Sequence, residues 1–119
     1  MRDHTQLRAF ELADELALLV YQVTKNFPKE EQFGLTSQLR RAAVSVASNI
    51  VEGCARPTQA DYLRFLGIAY GSVREVEYQL SLAKRLGFLR ASDVERADSL
   101  ACETSKVLGG LIRSLRRKP

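Results

Sequence analysis

The 119-residue sequence contains no tryptophan, one histidine, two cysteines and three prolines. With His4 alone, it cannot form the paired Glu-x-x-His motifs of di-iron helix bundles, and a serine–histidine–acid relay would depend on this one side chain near the N-terminus. No glycine-rich phosphate-binding loop precedes a predicted helix. We therefore expect a non-enzymatic protein with no catalytic residues, no metal site and no cofactor.

Long apolar runs are also missing. No stretch of about 18 uncharged apolar residues occurs, which predicts no membrane-spanning helix. The polar start, residues 1–6, lacks the apolar core of a signal peptide. Cys54 and Cys102 share no CxxC spacing, and we interpret both as free thiols, although a single disulfide between them is an alternative. These features together predict a cytoplasmic protein.

Apolar residues recur at spacings of three and four almost throughout, and this period is typical of helices. It predicts four helices, at about residues 4–26, 35–53, 59–87 and 92–115. Pro28 ends the first, while Gly53 and Gly87 end the second and third. Thr58 is the expected N-cap of the third, and a capping box from Ser92 to Glu95 should open the fourth.

Short connections between these helices predict a single all-α domain over residues 1–119, folded as an antiparallel up-down-up-down four-helix bundle. The apolar face of the first helix is wider than one partner helix needs, so we expect a homo-oligomer. In the connector 27–34, Phe27 and Phe33 should pack under the chain. Gly67 and Gly71, four residues apart in the third helix, indicate close contact with a neighbouring helix.

One polar stripe crosses the otherwise apolar second and third helices. We interpret it as a structural hydrogen-bond network that fixes helix register, with Arg41 pairing to Glu52 or Glu75. The alternative is a polar groove or pore lining that binds a ligand. The residues of the stripe are Arg41, Ser45, Asn49, Glu52, Ser72 and Glu75.

The formal net charge is +4, and it is unevenly distributed. Residues 106–119 carry basic side chains and no acidic one, whereas residues 1–34 are net negative. A basic end is typical of phosphate-backbone contact, but cations also stabilise a helix C-terminus without any partner. The candidate nucleic-acid-binding residues are Arg113, Arg116, Arg117, Lys118, Arg40 and Arg56. Tyr62, Tyr70 and Tyr78 drift around their helix and form no single stacking platform, so we interpret them as packing or interface residues.

Several long segments resemble the 23S rRNA-intervening-sequence protein family. They lie at residues 33–46 (FGLTSQLRRAAVSV), 48–50 (SNI), 52–53 (EG), 65–75 (FLGIAYGSVRE) and 80–87 (LSLAKRLG). The resemblance covers about residues 7–115. It implies a four-helix bundle that assembles into a homopentameric ring, with no established enzymatic activity. It also implies similarity to the accessory variability determinant protein of diversity-generating retroelements, a basic pentameric bundle that binds nucleic acid and a reverse transcriptase.

Two functional hypotheses remain open at this point. The first is an oligomeric binding protein that contacts RNA, DNA or a ribonucleoprotein partner through basic residues. The second is a protein–protein scaffold ring without nucleic-acid affinity. Salt dependence separates them, because phosphate binding weakens steeply as salt rises.

Overall fold

The computed structural model describes residues 2–117, and this part of the chain is helical with no strand. The helices are α1 (Arg8–Thr24), α2 (Leu35–Cys54), α3 (Gln59–Arg85) and α4 (Ala91–Arg116). Short 3-10 turns, His4–Gln6 and Lys29–Glu31, precede α1 and α2. The expected all-α class is confirmed.

The four helices form an antiparallel bundle in which each helix packs on two neighbours. Contacts join α1 to α2, α2 to α3 and α3 to α4, and α4 returns to α1 to close the ring. The α2–α3 pair is the most extensive. The bundle measures 48 × 24 × 20 Å, and its core contains fully buried side chains from all four helices, among them Leu16, Leu39, Ile50, Leu66, Leu80 and Leu108. The predicted four-helix bundle is therefore confirmed.

Helix ends follow some of the sequence signals and not others. Thr58 caps α3 as predicted, its hydroxyl accepting from the Asp61 amide at 3.1 Å. Gly87 adopts φ +77° just beyond α3, where the left-handed conformation needs a residue without Cβ. The capping box at Ser92 was a wrong prediction, because α4 already begins at Ala91 with Arg90 as an N-cap that makes no side-chain bond. The first helix starts at Arg8, since residues 4–6 form a separate turn.

The glycines of α2 and α3 have different roles from those the sequence indicated. Gly53 is not a stop but a buried residue inside α2, where an added Cβ would lie 3.0 Å from Phe65 Cβ. It lets α3 approach closely. Gly67 and Gly71 were expected at a close helix contact, and this was wrong within residues 2–117: both are exposed, with no atom within 4 Å of an added Cβ.

The connector between α1 and α2 buries one of its two phenylalanines. Phe27 is 7% exposed and its ring centroid lies 5.7 Å from that of Phe88. Phe33 is 89% exposed, so the expected packing was wrong for this residue. It follows the 3-10 turn, at a position directed away from the core. The two cysteines are free, with Cys54 buried and Cys102 exposed.

Large apolar side chains also remain on the bundle surface. On α1, Leu18 is 61% exposed and Tyr21 is 44% exposed, which matches the excess apolar width of this helix. Val44, Ile68 and Tyr78 are exposed on α2 and α3. None of the helices in residues 2–117 combines the length and apolar character that crossing a membrane requires.

Candidate nucleic-acid interface

The antiparallel topology brings four chain segments to one end of the bundle: the N-terminal residues, the end of α2, the start of α3 and the end of α4. Arg2 joins three of them. Its Nη1 donates to the Arg56 carbonyl at 3.1 Å and its Nη2 to Gln59 Oε1 at 3.5 Å. Gln59 in turn donates to the Leu115 carbonyl at 3.4 Å. We call this region the basic end.

The basic end gathers more arginine than acid. Two of its arginines are paired locally: Arg56 with Glu52, and Arg64 with Asp61 at 3.7 Å. Within residues 2–117, the α4 arginines make no ion pair and no side-chain hydrogen bond, and all are exposed; they are Arg113, Arg116 and Arg117. Their charge is therefore open to an anionic partner.

The predicted nucleic-acid-binding residues do not all meet at this end. Arg56 lies at the same end as the α4 arginines, whereas Arg40 lies near the start of α2, about 21 Å along the helix axis from its last residue, Cys54. Arg40 donates from Nε to Thr24 Oγ1 at 2.8 Å and stacks on the Tyr21 ring, 4.6 Å from its centroid. It ties α2 to the end of α1, and the structure separates it from the others. Lys118 lies outside the described residues.

A buried polar pair, Tyr62 and Cys54, lies next to Arg2 at the basic end. Tyr62 is 3% exposed and lies beside the Cys54 thiol, with the Arg2 guanidinium 4.1 Å above its ring centroid. Burial raises the pKa of Tyr62 to about 12, and the neighbouring thiol acts in the same direction. Burial also raises the pKa of Cys54. Both groups are neutral near pH 7, and the Tyr62 ring packs against the Arg2 guanidinium.

A shallow groove lies between α3 and α4 beside the basic end and encloses about 360 Å³. It is lined by Gly67, Tyr70, Gly109, Ile112, Arg113 and Arg116. Sequence reasoning missed it, because the contributions of α3 and α4 are some forty residues apart. The sequence contained one local signal for the groove, because Gly67 and Tyr70 are three residues apart and therefore share a face of the third helix.

The polar stripe occupies a second groove, between α2 and α3, of about 330 Å³. Ser45 Oγ and Ser72 Oγ are 2.8 Å apart across the two helices. Asn49 Nδ2 donates to the Ser45 carbonyl at 2.8 Å and to its hydroxyl at 3.0 Å. Gln79, 8% exposed, lies further along the groove, and its Oε1 has no hydrogen-bond partner among residues 2–117.

The structure brings three of the six predicted stripe residues into one hydrogen-bonded cluster: Ser45, Asn49 and Ser72. Arg41 and Glu75 line the groove as exposed side chains, and the expected pairing of Arg41 with an acid was wrong among the described residues. Glu52 pairs instead with Arg56, which lies two residues beyond the end of α2. The stripe is therefore a hydrogen-bonded centre with charged edges.

Metal-ligating side chains are not clustered in the described part of the chain. Residues 2–117 hold no group of three or more histidine, cysteine, aspartate or glutamate side chains placed to bind one ion. His4 contacts the Phe10 ring, with centroids 4.7 Å apart.

Comparison with known proteins decides the family. Residues 5–110 match the pattern of the 23S rRNA-intervening sequence protein family. The chain belongs to this family. The match includes the whole groove between α2 and α3, but it stops before Ile112, Arg113 and Arg116, which line the groove between α3 and α4.

A solved relative shows the same fold. The chain is similar to a protein of unknown function from the S23 ribosomal protein family of Bacteroides thetaiotaomicron, with a TM-score of 0.79 and 24% identity. The similarity covers 88% of this chain and 95% of that one. Among curated proteins, none matches the sequence.

Proposed function

We propose that this member of the 23S rRNA-intervening sequence protein family is a non-catalytic, oligomeric RNA-binding protein of the cytoplasm. The observation that carries the proposal is the basic end, where Arg113, Arg116 and Arg117 are exposed and make no ion pair within residues 2–117. Three cations on about one turn of helix suit consecutive phosphates, and phosphate contacts dominate nucleic-acid affinity.

The position of the α4 arginines at one end of the bundle further supports RNA binding. Of the acids at this end, Glu52 and Asp61 are engaged by Arg56 and Arg64, and Asp3 accepts from the amide and hydroxyl of Thr5. Arg2 adds a further guanidinium, held in place by its contacts to Tyr62 and to the Arg56 carbonyl. The field at this end is therefore positive although the net charge of the whole chain is only +4.

Oligomerisation would multiply this modest charge. The exposed apolar side chains of α1, Leu18 and Tyr21, would be buried in an interface between copies. A homopentameric ring, as the sequence resemblance implies, would present five basic ends to one RNA. Linked weak sites raise overall affinity without any new contact.

The decisive experiment replaces Arg113, Arg116 and Arg117 together by glutamine. We expect loss of binding to a structured RNA, with the helical circular dichroism signal unchanged because these side chains are exposed. In the unmodified protein, the logarithm of the binding constant should fall linearly with the logarithm of the salt concentration. Fluorescence anisotropy at low and physiological salt measures both effects.

A matched control removes the same charge at the opposite end of the bundle. Lys84, Arg85 and Arg90 lie at the end of α3 and the start of α4, and all three are exposed. Their replacement by glutamine should leave most of the RNA affinity intact. Equal losses from the two triple variants would show nonspecific charge attraction and contradict a role for the basic end.

A scaffold ring is the second candidate function. It is favoured by Phe33, which is 89% exposed at the connector between α1 and α2, far from the basic end. A large aromatic side chain on the surface is typical of protein interfaces. A stable oligomer that binds neither structured RNA nor single-stranded DNA at low salt would favour this function over the first.

A further inference from the structure

We propose that the groove between α3 and α4 binds one nucleotide of a single-stranded RNA, with the base against Tyr70 and the phosphate between Arg113 and Arg116. This inference rests on the proposed RNA-binding function and adds a site to it. The groove has a volume of about 360 Å³, which lies in the range of small-molecule sites, roughly 300–1,000 Å³.

The floor of the groove is the first argument. Gly67 lies in the interior of α3, where glycine is less favourable than alanine. Beyond its chain neighbours and the adjacent backbone of α3, no atom of residues 2–117 comes within 4 Å of an added Cβ. Packing within the chain therefore gives no reason for glycine at this position. A glycine does allow a ligand to approach the helix backbone closely.

The walls of the groove supply the second argument. An added Cβ at Gly109 would lie 3.3 Å from Tyr70 Cε1 and 3.4 Å from Arg113 Nη1. The aromatic ring and the guanidinium therefore meet over the same backbone position. Aromatic rings stack on bases of any sequence, and guanidinium groups bind phosphate oxygens in pairs of hydrogen bonds.

The charge at the rim is the third argument. Arg113 and Arg116 are both exposed, with no acidic partner among residues 2–117, and they are three residues apart on the same face of α4. No acidic side chain lines the groove. An anionic group bound here would face two cations and no opposing charge.

The test fills the groove without changing charge. In Gly67→Leu, a side chain enters the floor, and we expect binding of a fluorescein-labelled single-stranded oligoadenylate to weaken about tenfold, the size of one lost base stack. An abasic oligomer of the same length retains the phosphates and should bind this variant as well as it binds the unmodified protein. Tyr70→Leu should reproduce the selective loss while preserving apolar volume.

Gly71→Leu is the matched control. Gly71 lies one turn further along α3, is equally exposed and has the same open space, but it does not line the groove. We expect this variant to bind oligoadenylate as the unmodified protein does. Light scattering on all variants checks that oligomer mass is unchanged.

The outcomes separate this proposal from the one it rests on. Equal binding by the Gly67→Leu and Gly71→Leu variants, with binding still lost in the triple arginine variant, would overturn the groove and leave the RNA-binding function in place. If Gly67→Leu weakens the binding of the oligoadenylate and of the abasic oligomer equally, base recognition by the groove would also be overturned. Failure of the unmodified protein to bind the oligoadenylate at low salt would overturn the groove, and failure to bind the structured RNA as well would overturn both proposals.

Discussion

Tyr62 is a buried phenol whose ionisation should destabilise the fold. Its pKa is raised from 10.0 to about 12 by burial and by Cys54, so the folded state favours the neutral form. This contribution to the free energy of unfolding is complete below pH 10 and is lost as pH rises from 10.0 to about 12. Urea unfolding across this range should show falling stability.

Tyr62→Phe serves as the reference for this effect. It lacks the ionisable hydroxyl, so its stability should decrease less steeply over the same pH range, although lysines titrate in both proteins. If the free energy of unfolding falls equally with pH in both proteins, ionisation of the Tyr62 phenol is not the cause of the fall.

The hydroxyl pair of Ser45 and Ser72 should contribute a measurable coupling energy. Their oxygens are 2.8 Å apart, and the bond is partly buried because Ser72 is only 7% exposed. A double-mutant cycle with Ser45→Ala and Ser72→Ala should give a coupling of about 1 kcal/mol in the free energy of unfolding. The same cycle with Ser48→Ala in place of Ser45→Ala should be additive, since Ser48 is exposed. A coupling indistinguishable from that control would contradict a structural role for the pair.

Residue pairing was only partly predictable from the sequence. Helical spacing placed Ser45 and Asn49 four residues apart on one face, and the hydrogen bond between them follows from that spacing. Glu52 and Arg56 have the same spacing, but their pairing was missed because the predicted helix ended at Gly53 and left Arg56 in the connection to the third helix. The pairing is exposed, so Glu52→Ala should cost no more than about 0.5 kcal/mol.

At the scale of helices, glycine position decides how closely α2 and α3 approach. Gly53→Ala would place a Cβ 3.0 Å from Phe65 Cβ and 3.3 Å from the Tyr62 carbonyl oxygen, and neither atom moves without its backbone. We expect a loss of roughly 1–3 kcal/mol, which exceeds the gain in helix propensity. Gly71→Ala meets no atom within 4 Å and should gain up to about 1 kcal/mol. Thermal unfolding of both variants checks the opposite signs, and destabilisation by Gly71→Ala would indicate a contact outside the described chain.

The helices were predictable because one physical signal, apolar periodicity, extends over each of them. All four predicted helices are present, and α2 and α4 begin and end within one residue of expectation. The errors lie at single positions: the capping box at Ser92, the stop at Gly53 and the packing of Phe33. At each, a local pattern has two structural outcomes, and tertiary contacts of residues distant in sequence select between them.

At the scale of the whole molecule, topology determined which charges meet. Antiparallel connection predicts that the end of α4 lies beside the end of α2, so the proximity of Arg56 to the α4 arginines was accessible from the sequence. The position of Arg40 at the other end was equally predictable, since Arg40 lies near the start of α2 and Arg56 follows its end. The Arg2 contacts to Tyr62 and Gln59 were not, because nothing local indicates that the N-terminal residues fold back onto α3.

The exposed apolar face of α1 should couple assembly to RNA affinity. Leu18 is 61% exposed, and Leu18→Glu places a charge on that face without touching the core. We expect a smaller oligomer by light scattering and weaker RNA binding, because separate subunits lose the gain from linked sites. Gln22→Glu, on the next turn of α1 and also exposed, introduces the same change in charge at a position that is already polar. It should retain both the mass and most of the affinity. A Leu18→Glu protein that dissociates yet binds RNA as tightly as before would show that one basic end suffices, and the ring would then have no part in recognition.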